Sequence, residues 1–206
     1  MGHQGHRWRA AKLAAAACAL KSASGIKSAP FSLAFLTDRR RIARPEPILR
    51  AMPKGSAVIY RDYDDPRRRA AARRFAAICR SRGVLLLIGD DASLAEEIGA
   101  DGVHLPARAL GKPRSAGEPG LLTASCHSLA ELHLAAEAGA DLAVLGPAFE
   151  TESHPGLEYL GAARFRALAA AAPLPVLALG GVDEANASLL SAKNVVGLAA
   201  IGAFVE

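Results

Sequence analysis

From Ser32 onward, eight short apolar runs alternate with helix-forming stretches: SLAFLTD, AVIYRD, VLLLIGDD, GVHLP, LLTASC, LAVLGP, PVLALGG and VGLAAIG. Strands spaced this way need crossover connections between parallel neighbours, so the pattern predicts consecutive βα units. An open doubly wound sheet and a closed barrel both satisfy such units. The count decides, because eight is the number at which a parallel sheet closes with its interior just filled by side chains. The expected fold is an α/β (β/α)8 TIM barrel over residues 31–206, with residues 1–30 as a helical N-terminal extension. At 206 residues the chain lies near the lower limit for that fold, roughly 200, so loops must be short and a second domain has little room.

Composition agrees. Half the residues (51%) are apolar and only 5% are aromatic, so the core must come from Ala, Leu, Val and Ile, as where small-faced helices pack on strands. The same figures exclude a disordered chain. A net charge of +5 favours phosphate-bearing partners without naming one. Cys18, Cys79 and Cys126 are too few and too scattered for a disulfide framework or a zinc site, so the chain reads as cytoplasmic. No apolar run approaches the ~20 residues of a membrane span. The stretch LAAAACAL behind Arg7, Arg9 and Lys12 has a faint signal-peptide character but is short, and a surface helix is the preferred reading.

Helix punctuation is legible along the chain. Asp65 and Pro66 read as N-cap and first helical residue, and Ser93 with Glu96 and Ser128 with Glu131 have capping-box spacing. Gly99 and Gly139 stand where a left-handed C-terminal residue ends a helix, and each opens Gly-Ala-Asp ahead of an apolar strand, a unit used twice in EEIGADGVHL and AEAGADLAVL. The last strand candidate is followed only by Ala203 to Glu206, so the pattern has no eighth helix. An uncovered barrel strand would expose apolar surface; a helix from about Trp8 to Lys21 is therefore expected to fill the gap between the first and last units.

In such a barrel the site lies at the C-terminal strand ends, with phosphate commonly held after strands seven and eight. Those ends are Gly180-Gly181 and Ile201-Gly202, where glycine lets backbone N–H groups approach an anion, and the helix expected after Asp183 would add its dipole. A plain turn is the competing reading of Gly-Gly. Arg61 is the best single candidate for a phosphoryl oxyanion, since a guanidinium fork matches two oxygens; a surface salt bridge with Asp62 or Asp64 competes. Asp90 and Asp91 suggest a magnesium ion, and helix capping competes.

Ser125 and His127 close the fifth unit, and the loop after strand six, ETESHPGLEYLG, reads as a lid carrying Thr151, Ser153 and His154 for a second phosphate. His104 points either into the barrel as a hydrogen-bonded core residue or to its mouth as an acid–base group. His3 and His6 are read as tail residues and His133 as partly exposed filler. The runs Arg39–Arg41, Arg67–Arg69 and Arg73-Arg74 lack aromatic interleaving, so a solvated face is preferred to nucleic-acid binding.

Taken in order, TASCHSLAELHLAAEAGAD, LAVLGPAFETESHPGLEYLG and PVLALGGVDEANA resemble the thiamine-phosphate synthase/TenI family, with a likeness running from about Ser32 to Phe204. The resemblance implies a (β/α)8 barrel in thiamine biosynthesis. Its synthases join hydroxymethylpyrimidine pyrophosphate to thiazole phosphate and release pyrophosphate, and a sister branch isomerises the thiazole phosphate. It further implies that Arg61 and Ser125 contact pyrophosphate, Asp90 binds magnesium, Thr151 and Ser153 supply hydroxyls to the thiazole phosphate, and Gly181 offers a backbone phosphate contact.

The departures are equally specific. Tyr63 stands at a family Lys, Ile59 at a Gln, Gly89 at an Asn, Ala109 at the second metal Asp and His154 at the lid Lys; Lys112 could compensate from beyond the fourth strand. Pro147 replaces the His expected of the isomerases. Losing several charge-assisted contacts weakens transition-state stabilisation. The expectation is therefore a synthase-like transferase acting on small phosphorylated substrates, a possible homo-oligomer without nucleic-acid or membrane partners. A catalytically silent thiazole-phosphate-binding protein and a thiazole-phosphate tautomerase, using His127 or His154 as base, are the alternatives.

Overall fold

The computed structural model describes residues 3–111, 120–151 and 158–205. Eight parallel strands close into a barrel in sequence order: β1 (Leu33–Leu36), β2 (Ala57–Tyr60), β3 (Leu85–Gly89), β4 (Gly102–Leu105), β5 (Leu121–Cys126), β6 (Leu142–Leu145), β7 (Val176–Leu179) and β8 (Val195–Ala200). Seven fall within the runs picked out above, and β8 begins one residue ahead of its run. Closure joins β1 to β8 through Leu33–Leu198, Ala34–Ala199 and Phe35–Ala200. The strands are buried on both faces, as expected where side chains fill the interior and helices cover the outside.

The helices are α1 (His3–Ser24), α2 (Glu46–Ala51), α3 (Arg68–Arg82), α4 (Ala92–Ile98), α5 (Leu129–Glu137) and α6 (Gly161–Ala171). Helix α1 covers β8 and the adjoining β1 edge, the gap it is expected to fill. Its buried face is His6, Ala10, Leu13, Ala17 and Leu20, at alternating spacings of three and four. Burying Leu13 and Leu20 contributes about 1.5–3 kcal/mol each. Near one end of α1, His6 Nδ1 donates to the Phe204 carbonyl beyond β8 (3.0 Å); near the other, Lys21 Nζ donates to the Ala29 carbonyl ahead of β1 (2.9 Å). The helix thus starts at the C-terminal rim of the strands and descends antiparallel to them, in the place and direction of an eighth helix. The reading of His6 as an idle tail residue is corrected, because tertiary burial gives its ring a backbone partner.

The repeated Gly-Ala-Asp unit produces the same geometry twice. Gly99 ends α4 in the left-handed conformation (φ 62°), and Gly139 follows the end of α5 (φ 79°). Asp101 donates its N–H to the Leu86 carbonyl and accepts the Leu86 N–H on its carboxylate, both at 2.8 Å. Asp141 repeats both bonds at 2.8 Å with Leu122. Each Asp therefore clamps the incoming strand to the one before it.

Some punctuation differs from expectation. Helix α4 is capped by Asp91 rather than Ser93, and α3 starts at Arg68, with Asp65 instead accepting from the Arg67 N–H (2.9 Å) and Tyr60 hydroxyl (3.1 Å). Ser128 caps α5 by accepting from the Glu131 N–H, but the Glu131 carboxylate accepts from His127 N–H, one residue outside a capping box. The β7–β8 connection holds a four-residue 3-10 turn, Ala187–Leu190, so the helix dipole expected after Asp183 is absent: too few aligned peptides follow it.

Candidate functional site

At the C-terminal rim a cavity of about 800 Å3 lies beneath the loops that follow β6, β7 and β8. Arg61, His127, Thr151, Gly180, Gly181, Ile201 and Gly202 all line it, although the ends of five different strands contribute them. Barrel closure is what gathers them, since every one sits just past a strand end.

The floor is built from backbone. Gly180 and Gly181 both have positive φ (96° and 62°), and the loop after β6 lies directly on them. A Cβ on Gly181 would stand 2.3 Å from the Glu150 carbonyl oxygen and 2.9 Å from Phe149 Cβ. Glycine is thus required by close approach as well as by conformation. The two loops are stitched by Ala148 N–H to Leu179 O (2.8 Å) and Phe149 N–H to Gly180 O (3.0 Å). Among the described residues the Gly181 carbonyl accepts from Asn186 Nδ2 (2.8 Å), while its N–H has no protein acceptor. An anion is the natural partner for such a donor.

Arg61 is fixed from behind. Its Nε donates to the Thr37 carbonyl and its backbone N–H to Thr37 Oγ1, both 3.1 Å. The salt bridges that competed for it are otherwise engaged: Asp62 accepts from Arg39 N–H (2.7 Å) and Asp64 pairs with Arg40 (3.4 Å). Among the described residues the two terminal guanidinium nitrogens have no protein partner, which leaves the bidentate geometry that suits phosphate.

Ser125 lies outside the cavity lining but is tied to the core. His104 is fully buried and sits between two hydroxyls, with Nδ1 2.8 Å from Thr123 Oγ1 and Nε2 2.8 Å from Ser125 Oγ. Burial first, and the nearby Arg61 charge second, push its pKa down to about 3, so the ring is neutral and one nitrogen donates while the other accepts. Of the two readings of His104, the hydrogen-bonded core residue holds. His127 Nδ1 donates to the Gly146 carbonyl (2.5 Å); a carbonyl only accepts, so Nδ1 carries a proton.

The paired carboxylates are turned to separate tasks. Asp91 accepts from Leu94 N–H (2.9 Å) as the N-cap of α4, and Asp90 pairs with Arg108 Nη2 at 2.7 Å. Neither lines the cavity, and among the described residues no three His, Cys, Asp or Glu side chains gather as a metal-binding group. A magnesium ion at Asp90 would have to displace Arg108 from that carboxylate. Packing explains the local change. The Tyr63 ring lies against Gly89, where a Cβ would meet Tyr63 Cε1 at 2.9 Å, and the Arg68 and Arg108 guanidinium carbons stand 5.5 and 5.0 Å from that ring.

Ser153, His154 and Lys112 lie outside the described residues. Other contributions escaped the sequence reading. Arg41, assigned to a solvated run, lines the cavity, as does Arg9 from α1. Arg68 is likewise no solvent residue: Nη1 donates to Asp62 O (2.7 Å) and Nη2 to Gly89 O (2.5 Å). Arg69 and Arg73 do face outward, where both pair with Glu97. No signal in the local pattern separates Arg9, Arg41 and Arg68 from their exposed neighbours.

Comparison with known proteins follows the same outline. A family model described as thiamine monophosphate synthase matches residues 33–204. A thiamine-phosphate synthase of Thioalkalivibrio sulfidiphilus is 34% identical over 159 residues, covering 74% of each chain. One from Thiobacillus denitrificans is 36% identical over 158 residues, covering 73% of this chain and 74% of the relative. Among solved structures, thiamine phosphate pyrophosphorylase from Pyrococcus furiosus superposes with a TM-score of 0.70 at 25% identity, covering 84% of this chain and 87% of that one. Helix α1 precedes the matched residues.

Proposed function

We propose, from the premise that this chain belongs to the thiamine-phosphate synthase/TenI family, that it couples hydroxymethylpyrimidine pyrophosphate to thiazole phosphate and releases pyrophosphate. The observation that carries this reading is the cavity itself, in which the tethered Arg61 faces a glycine-built floor at Gly180-Gly181 and Gly202. Two anionic groups must be held at once for such a reaction, and the cavity offers two chemically distinct ways to hold them.

In the reaction the pyrimidine methylene carbon loses its bond to the pyrophosphate oxygen and gains one to the thiazole nitrogen. Negative charge builds on the leaving oxygen, and Arg61 is placed to stabilise it with its two terminal nitrogens. Ser125 assists when His104 Nε2 carries the ring proton: Ser125 Oγ then accepts from the ring, and its own O–H is directed to an anion. Thiazole phosphate is held by backbone N–H groups at Gly181 and the turn beginning at Gly202, with the Thr151 hydroxyl beside them. Orientation of the thiazole nitrogen toward the methylene carbon converts a bimolecular encounter into a local step. In the family the release of pyrophosphate is assisted by magnesium; here Asp90 and Asp91 are committed elsewhere, so no step is assigned to the ion.

The test is direct. Purified protein given both substrates should release pyrophosphate and form thiamine phosphate, followed by mass spectrometry. Binding of thiazole phosphate without turnover, or its isomerisation alone, would overturn the coupling reading. Pro147, which lines the cavity where an isomerase base is expected, has no ionisable side chain.

A further inference from the structure

We infer that Arg9, from the helix outside the family-matched residues, is a phosphate-binding residue of this cavity, so that α1 completes the site as well as covering the barrel. The inference rests on the proposed function only for the identity of the phosphate ester; the anion chemistry stands on the cavity alone.

Helix α1 enters at the rim because its start, not its end, meets the strand ends: His6 is bound to the carbonyl of Phe204, beyond β8. Arg9 follows after three residues and flanks the buried stripe of His6, Ala10 and Leu13, which places it half-buried at the cavity wall with Gly181, Gly202 and Ala203. Lys12, one turn further on, is already used, pairing with Glu184 Oε1 at 3.0 Å.

The carboxylates of the same wall are largely spoken for. Glu184 is held below the usual carboxylate range, first by its own backbone N–H and then by Lys12, with Arg9 adding a weaker electrostatic pull. Asp183 accepts from the backbone N–H groups of Ala185 (2.8 Å) and Asn186 (3.0 Å), and Glu158 pairs with Arg164 (3.0 Å). Among the described residues Arg9 has no carboxylate within ion-pair distance. Its charge therefore faces a cavity whose floor offers the unaccepted Gly181 N–H. A guanidinium beside backbone donors is the arrangement that binds a phosphate dianion. Arg9 comes from α1 beside β8 and Arg61 from the end of β2, the two strands that flank β1 in the closed barrel, so both guanidinium groups reach the same cavity.

The experiment titrates inorganic phosphate and thiazole phosphate, separately, into the full-length protein at fixed ionic strength. The unmodified protein is compared with Arg9→Gln, Arg9→Lys and Arg7→Gln. Arg7 is exposed on the same helix and does not line the cavity, so Arg7→Gln removes the same charge elsewhere. Arg9→Gln is expected to weaken phosphate binding about five- to ten-fold, with Arg9→Lys recovering part of it and Arg7→Gln within two-fold of unmodified protein. Equal phosphate affinity for Arg9→Gln and Arg7→Gln overturns the inference, as does absence of phosphate binding to the unmodified protein. Should Arg9→Gln lower the melting temperature, Arg9→Lys decides: full stability with unimproved phosphate binding also overturns it. Phosphate binding that depends on Arg9, with no binding of thiazole phosphate, leaves Arg9 in place and removes the substrate proposed above.

Discussion

The two sides of the barrel rim solve the problem of holding an anion differently. After β6 to β8 the surface is backbone, with glycines pressed under a neighbouring loop and an N–H that has no protein acceptor among the described residues. After β2 to β4 it is side chain on side chain, with Tyr63 seated on Gly89, flanked by Arg68 and Arg108, and Arg108 closed onto Asp90. A backbone cradle depends on conformation and tolerates varied flanking side chains. A side-chain lock depends on identities and changes when one member changes. Of the departures from the family pattern, those at residues 59, 63, 89 and 109 lie on the β2–β4 side, and those at 147 and 154 follow β6 in the sequence.

The sharpest way to break this contrast is Arg61→Ala, because among the described residues Arg61 is the charged side chain that the β2–β4 side contributes to the cavity. Coupling turnover should fall about 100-fold or more, while thiazole-phosphate affinity stays within about two-fold. Comparable loss of both in steady-state kinetics and titration would merge the two sides into one subsite.

Next in size is Gly181→Ala, which forces a side chain toward the Glu150 carbonyl at a positive φ. Thiazole-phosphate binding should weaken about ten-fold, with about 1–3 kcal/mol lost in denaturant unfolding. Gly139→Ala, also at positive φ but with open space around the added carbon, should cost only about 1 kcal/mol and leave binding unchanged. Equal effects would show that conformation alone, without close approach, defines the cradle.

Protonation supplies a third probe, centred on His104 beneath the rim. Its folded pKa near 3 lies below the ordinary 6.5, so between those values the unfolded chain binds a proton that the folded chain does not. Its contribution is fully present above about pH 6.5 and is lost as pH falls toward 3, by up to about 1.4 kcal/mol per pH unit. Denaturant titrations across this window should show the slope, and His104→Gln should flatten it by about one proton. An unchanged slope would mean that the ring is charged in its Thr123–Ser125 setting.

The smallest effect belongs to Arg108→Ala. The Arg108–Asp90 pair is largely exposed on the Arg108 side, so unfolding stability should change by no more than about 1 kcal/mol. Thiazole-phosphate affinity should be unaffected. A marked loss would place the side-chain lock inside the same subsite as the glycine floor.

Much of the scaffold was readable in advance because its signals are local. Each strand announced itself as a short apolar run, and Gly-Ala-Asp marked the same helix exit twice. Arg61, His127, Gly181 and Gly202 could be nominated from position alone, since a closed parallel barrel puts every strand end on one rim. Asp90 and Asp91 could not be resolved that way. Both capping and ligation fit adjacent carboxylates at a helix start; the structure makes Asp91 the cap of α4 and pairs Asp90 with Arg108, 18 residues away.

By itself, the order of apolar runs and helix stops determined that this chain closes an eight-stranded barrel and where its open rim would be, because periodicity and turn chemistry act over a few neighbouring residues. Tertiary structure decided which charges enter the cavity and which are consumed at its edge. His6 finds its carbonyl 198 residues away, and α1 is thereby set beside β8 with Arg9 at the rim. Such pairings exist only once the first and last strands have met, so no window of sequence contains them.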